Sequence, residues 1–195
     1  RVDLLKRITS DVSPIHWQYG AIARLKPGET IKKFIYGGYA TLSLGYIGIY
    51  EATVLTKHCS HTAPEGRKFA MRIMDDLNAH IKKWRKETNI GFALYGTPAE
   101  NLTNLFCKID KARFGSIPDV TDKGYYTNSY HVDVREPINV FDKFSFEADF
   151  EDKSTGGCIS YAEIPNMTHN IPAVLTMVQY IYDHITYGEF NTKLD

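Results

Sequence analysis

The chain has 195 residues, enough for one domain with a sizeable core, and its 23 Lys plus Arg are balanced by 23 Asp plus Glu. That balance argues against a nucleic-acid binder or a protein of anionic membrane surfaces, since both normally carry a basic excess. No apolar run reaches the roughly 18 residues of a membrane span, and no secretory leader is recognisable. Cys59, Cys107 and Cys158 are odd in number and far apart, which fits a reducing, cytoplasmic compartment better than a disulfide framework.

Residues 1–36 carry helical pattern broken by Pro14 and Pro27, with Ile31, Phe34 and Ile35 on a short helix ending at Gly37-Gly38. The adjacent His16 and Trp17 read as packing residues. A strand is expected over 42–48, then a helix from Ile49 to Leu55 with Glu51 at its start, where a carboxylate is favourable with the helix dipole. His58, Cys59 and His61 invite a metal reading, but a site needs three or four ligands in good geometry and no further partner is evident. Residues 67–87 form the clearest helix. Ala70, Ile73, Met74, Leu77, Ile81 and Trp84 make one apolar stripe, which is core packing rather than a cofactor box.

The stretch from Gly91 to Asn101 is the most informative. An apolar strand stops at Gly96, and a helix is expected to open with Thr97 at its N-cap, Pro98 at its first position and Glu100 at its third, a capping box. Leu102, Leu105, Phe106 and Ile109 would be its buried face. Free N–H groups and the positive end of the dipole make such a point a ready anion site. On physical grounds alone a purely structural turn is the stronger reading. Glu100 would lie beside the anion and compete for the same N–H groups.

After a loop at 115–123, residues 125–134 alternate as a strand, with Thr127, Ser129 and His131 on one face and Asn128 and Tyr130 on the other. Either face could line a polar cavity; an edge strand with a solvated face is the plainer alternative. Asn139 to Phe150 reads as a helix that packs Phe144, Phe146 and Phe150, with Asp149, Glu151 and Asp152 as an acidic surface. A strand over 158–164 stops at Pro165, a helix carries Val174, Leu175, Val178, Ile181 and Tyr182, and a last strand covers 187–191. About five strands alternating with helices give an α/β fold with parallel pairing. Ligands in such folds sit at strand C-termini, here Tyr46 to Glu51, Tyr95 to Asn101, Val132 to Val134 and Glu163 to Asn166.

Four motifs occur in this order: Gly45-Tyr46-Ile47-Gly48-Ile49-Tyr50-Glu51, Tyr95-Gly96-Thr97-Pro98-Ala99-Glu100, Tyr125-Tyr126-Thr127-Asn128-Ser129-Tyr130-His131, and the Gly156-Gly157 strand ending in Glu163-Ile164-Pro165-Asn166. Together they resemble the anaerobic, class III ribonucleotide reductases, and the likeness covers essentially the whole chain. Asn101 stands where the family pattern has Ser, and Tyr130 where it has Phe. The resemblance implies that residues 1–195 are a segment of the catalytic domain, one half of a ten-stranded α/β barrel built from two five-stranded parallel halves. It implies that the turn Gly96, Thr97, Pro98, Ala99, Glu100 and Asn101 binds the triphosphate of a ribonucleoside triphosphate, with Glu51 and Asn128 as further cavity candidates.

For the whole protein the resemblance implies radical reduction of ribonucleoside triphosphates to 2′-deoxyribonucleoside triphosphates, and hence an oxidoreductase of deoxyribonucleotide synthesis. It also implies a glycyl radical made by a radical-SAM activating enzyme, structural zinc, ATP and dNTP effectors, and a homodimer. The family's thiyl cysteine, its zinc-binding Cys-x-x-Cys pairs and its Arg-x-Cys-Gly-Tyr radical stretch are not among these residues. The chain also starts at Arg1 rather than Met, so it is expected to be an internal segment, inactive alone and with unpaired strand edges. The alternative is a non-catalytic nucleotide- or phosphate-binding α/β fragment.

Overall fold

The computed structural model describes residues 2–21 and 23–192. The chain is α/β, and its elements run α1 (Val2–Leu5), α2 (Pro14–Trp17), β1 (Thr41–Tyr46), α3 (Ile49–Lys57), α4 (Pro64–Thr88), β2 (Gly91–Gly96), α5 (Glu100–Phe114), α6 (Val140–Glu151), β3 (Ser160–Ile164), α7 (Ile171–His184) and β4 (Gly188–Thr192). β1 neighbours β2, and β3 pairs with β4 in parallel register from Ser160 opposite Gly188 to Ile164 opposite Thr192. The fifth expected strand, over 125–134, is a sequence of turns instead.

The chain divides into two compact units. The first is Arg1–Ser43 with Ala79–Ala93. Its core is Leu25, Ile31, Ile35 and Ile90, against which Trp17, Phe34, Leu42 and Phe92 pack. The helical pattern expected over 1–36 is realised only as short turns, including 3-10 segments at Ser10–Val12 and Ile31–Phe34. Side chains compete with the helix for its backbone here. Ser10 Oγ donates to Lys26 O at 2.7 Å, and Asp11 Oδ2 accepts from Gly28 N at 2.9 Å. Trp17 packs as expected, but His16 is exposed and hydrogen-bonds Ser13 Oγ.

The second unit is Leu44–Asn78 with Leu94–Asp195. Phe144, Ala162 and Ile185 form one of its cores, covered by Val140, Ala148, Tyr180 and Ile181. The α4 stripe packs as its periodicity predicts, with Ala70 and Met74 buried in this unit and Ile81 buried in the first. α6 begins where expected, because Asn139 Oδ1 accepts from Asp142 N at 2.9 Å and so caps the first turn. Asn139→Ala is expected to lower stability by about 1 kcal/mol, read as a shift in the urea midpoint; an unchanged midpoint would mean that the cap is replaced by water.

Two expectations about faces are corrected. Glu151 is buried, and its Oε2 accepts from Thr186 N at 2.9 Å and Tyr187 N at 3.3 Å, so it anchors the chain before β4 rather than extending an acidic surface. On α5, Leu102, Leu105, Phe106 and Ile109 are 44–48% exposed, while Thr103 and Cys107 are the buried residues. Small side chains on that side admit a close backbone approach: Tyr126 N donates to Thr103 O at 3.2 Å, and Cys107 Sγ lies 3.5 Å from Thr121 O. Leu175, Val178 and Tyr182 of α7 are likewise exposed.

Candidate functional site

β2 stops at Gly96 as expected, but α5 starts only at Glu100, with Ala99 as its N-cap at φ −93 and ψ 63. The capping box does not form. Thr97 Oγ1 donates back to Tyr95 O at 3.3 Å, and among the described residues no side chain caps the helix. A distant side chain competes for the turn: Asn128 Oδ1 accepts the Ala99 N–H at 3.0 Å. The first N–H groups of a helix have no intrahelical acceptor, so those of Glu100 and Asn101 are left for other partners. Gly45 is required beside this turn, since a Cβ there would lie 2.1 Å from Thr97 Oγ1. At Gly96 a Cβ would meet Cys158 Cβ at 3.1 Å and Tyr130 Cε1 at 3.2 Å.

Asn128 belongs to the segment that alternation marks as a strand. Its backbone groups find partners on helix ends and side chains instead of on a neighbouring strand. Thr127 O accepts from Gly48 N at 2.8 Å, and Ser129 O from Ile49 N at 3.2 Å. Thr127 N donates to Glu51 Oε1 at 2.7 Å, and Val132 N to Glu147 Oε1 at 3.1 Å. Ser129 takes a left-handed conformation, φ 37, which breaks any strand there. His61 Nε2 is 2.9 Å from Tyr130 O; a carbonyl only accepts, so the proton sits on Nε2. Burial pushes the His61 imidazole below its ordinary value, and its ring packs edge-on against Tyr50 and Phe146.

Behind this loop lies a buried charge network. Lys123 Nζ is 2.6 Å from Glu51 Oε1 and also pairs with Asp133 Oδ2; the Lys123 and Glu51 side chains are each 4% exposed. Lys123 Nζ further stands over the rings of Tyr50 and Tyr125, at 4.5 and 4.7 Å. Asp133 Oδ1 accepts from Arg135 N at 3.0 Å and Arg135 Nε at 2.8 Å. Burial raises the Asp133 carboxyl, but hydrogen bonds from Arg135 and Lys123 outweigh it and hold the group at about 2. Glu147 is also held at about 2: its burial acts upward and is outweighed by His131 and Lys143.

The structure therefore brings together Gly96, Thr97, Pro98, Ala99, Glu100, Asn101 and Asn128, with Glu51 joined to them through Thr127. Among the described residues Glu51 Oε2 has no hydrogen-bond partner, and Glu51 borders a cleft of about 320 Å³ that includes Gly48, Phe106, Ile109 and Tyr126. Glu163 lies on an exposed position of β3. Of the charges that hold the loop, Asp133 falls within the candidate stretch Val132 to Val134, whereas Lys123 escapes sequence reasoning. Nothing local to Lys123-Gly124 distinguishes a buried lysine from a solvated one. Among the described residues no group of three His, Cys, Asp or Glu side chains converges on a common point. Burial pushes the Cys158 thiol up to about 11 and also raises Cys107.

The family model for anaerobic ribonucleoside-triphosphate reductase matches residues 1–195. The anaerobic ribonucleoside-triphosphate reductase of Enterobacteria phage T4 is 42% identical over all of this chain, which covers 31% of that protein. The Salmonella typhimurium protein of the same name is 40% identical over all of this chain, here 28% of its length. Among solved structures, the anaerobic ribonucleotide reductase from Thermotoga maritima in complex with dATP and CTP aligns with a TM-score of 0.69 and 21% identity, covering 99% of this chain and 32% of that one. The T. maritima enzyme with glycerol in the active site gives a TM-score of 0.67 over 85% of this chain and 27% of that one. This chain thus has less than a third of the length of the curated relatives it matches, and with the family model spanning all of it, the chain belongs to the anaerobic ribonucleoside-triphosphate reductase family.

Proposed function

We propose that this chain is the part of an anaerobic ribonucleoside-triphosphate reductase barrel that holds the substrate's triphosphate at the turn between β2 and α5. The supporting observation is that α5 begins without a side-chain cap, so the N–H groups expected to be consumed by a capping box are not. A phosphate there would accept from the Glu100 and Asn101 N–H groups and meet the positive end of the helix dipole. Asn128 supports that turn directly through the Ala99 N–H, and Glu51 does so through Thr127. The exposed apolar faces of α5 and α7 fit a segment whose remaining neighbours belong to the rest of a ten-stranded barrel.

The whole protein would reduce ribonucleoside triphosphates to 2′-deoxyribonucleoside triphosphates, in the cytoplasm, as a homodimer regulated by ATP and dNTP and activated by a radical-SAM enzyme. In that chemistry a glycyl radical would supply the hole that starts each turnover and is returned at its end, and zinc would be structural. The residues of this chain do not fit either group. Its three cysteines form no Cys-x-x-Cys pair, and no glycine lies in an Arg-x-Cys-Gly-Tyr stretch. What this chain supplies is binding and orientation.

Asn101→Asp in the full-length reductase tests the reading. A second carboxylate in the first turn of α5 is favourable for the helix but repels a phosphate by about 1–2 kcal/mol, so the Kd for a ribonucleoside triphosphate should rise about tenfold with no loss of Tm. Unchanged affinity would sink the phosphate assignment and leave a structural turn.

A further inference from the structure

We propose that Glu51 and Lys123 are positioning residues for the β2–α5 turn, acting through Thr127 and Asn128. The inference rests on the phosphate-binding reading and names what sets the geometry of that site. Asn128 lies between two residues that are both tied to the first turn of α3. On one side, Thr127 gives its N–H and its hydroxyl to Glu51 Oε1, at 2.7 and 2.8 Å, and its carbonyl accepts from Gly48 N. On the other, the Ser129 carbonyl accepts from Ile49 N. With its neighbours fixed, the Asn128 side chain reaches across to the turn, and its Oδ1 holds the Ala99 N–H at 3.0 Å.

Ala99 is the N-cap of α5, so fixing its N–H sets where the free N–H groups of Glu100 and Asn101 face. Glu51 is 3% exposed and cannot release Thr127 without leaving a buried N–H unpaired, whereas the Thr127 hydroxyl also reaches Asp133 Oδ2 at 3.4 Å. Lys123, 2.6 Å from the same oxygen, supplies the compensating charge, and its own second partner is Asp133. A carboxylate on α3 is thereby linked to the start of α5 through one asparagine. Neither Glu51 nor Lys123 needs to touch the substrate for the turn to depend on them.

The test is a double-mutant cycle in the full-length reductase, read as KM and kcat for a ribonucleoside triphosphate. Asn128→Ala should raise KM about tenfold and Glu51→Gln about fivefold, with kcat within about twofold, and the double variant should be no worse than Asn128→Ala alone. Multiplying KM effects, or a Glu51→Gln variant with lower Tm and unchanged KM, overturns the proposal. A fall in kcat with KM unchanged also overturns it, because Glu51 would then act in the chemistry. If Glu51→Gln does not fold, Thr127→Val removes one donor at nearly constant shape. It should raise KM about twofold and add nothing on top of Asn128→Ala; additivity there overturns the proposal equally. Asn101→Asp separates the two readings. If it leaves affinity unchanged, the phosphate site itself fails; if it weakens binding while the cycle is additive, only the positioning role fails.

Discussion

Replacing Asp133 by Asn is expected to lower the stability of the protein at pH 7 by about 3 kcal/mol, near the lower end of what breaking a buried ion pair costs. Asp133 is 1% exposed and faces two cations, Lys123 and Arg135. Asn keeps an acceptor for the Arg135 N–H but leaves Lys123 with Glu51 alone. The effect has a defined pH window. The Asp133 carboxyl is held at about 2, below its ordinary value near 4. A depressed carboxylate contributes its full stability above the unfolded value and loses it as pH falls toward the folded one. The gap between wild type and Asp133→Asn should therefore be constant from neutral pH down to about 4 and close between about 4 and 2. Urea titrations at a series of pH values read it directly. A gap that persists unchanged at pH 2 would show that the variant fails for reasons of packing rather than charge.

Which parts of this molecule its sequence discloses follows from where the hydrogen bonds go. α4 is legible because its stability comes from one apolar stripe, and Ala70, Met74 and Ile81 are buried as their spacing demands. α6 is legible because Asn139 is a local cap. β1, β2, β3 and β4 lie within a few residues of their expected positions, each bounded by a turn former. The segment 125–134 is misread because its alternation of residue types is not matched by alternating burial. Thr127, Ser129, Tyr130, His131, Val132 and Asp133 are all buried, and carboxylates distant in sequence, Glu51 and Glu147, accept the N–H groups that a neighbouring strand would otherwise take. No local pattern encodes a partner that is 76 residues away.

The start of α5 is misread for a related reason. Thr97, Pro98 and Glu100 have the spacing of a capping box, and local chemistry alone would favour it. Asn128 wins because it presents its carbonyl to Ala99 from a loop already fixed at both flanks. The candidate site thus has two layers of legibility. The turn itself stands out as a strand, a glycine and a helix start. Glu51, Thr127 and Asp133 fall in stretches the sequence marks, but the pairing that joins them through Lys123 becomes visible only when the loop is folded against α3.

Gly66→Ala is expected to destabilise the protein by about 3 kcal/mol, the upper end of the usual penalty for overpacking. Gly66 lies in the first turn of α4, two residues after Pro64, and its backbone is ordinary helix. The reason for glycine is space. A Cβ would lie 2.0 Å from the Ser60 carbonyl oxygen, 2.8 Å from its carbon and 3.0 Å from His61 Cα. All three are backbone atoms, so no rotamer change relieves the clash, and the reversal between α3 and α4 must move. His61 moves with it. Its ring is fully buried against Tyr50 and Phe146, and its Nε2 holds the Tyr130 carbonyl in the loop that carries Asn128. The substitution should therefore lower Tm and, in the full-length reductase, also raise the KM for the nucleotide. A lowered Tm with unchanged KM would mean that His61 is not what seats the loop. An unchanged Tm would mean that the Ser60 carbonyl gives way without cost.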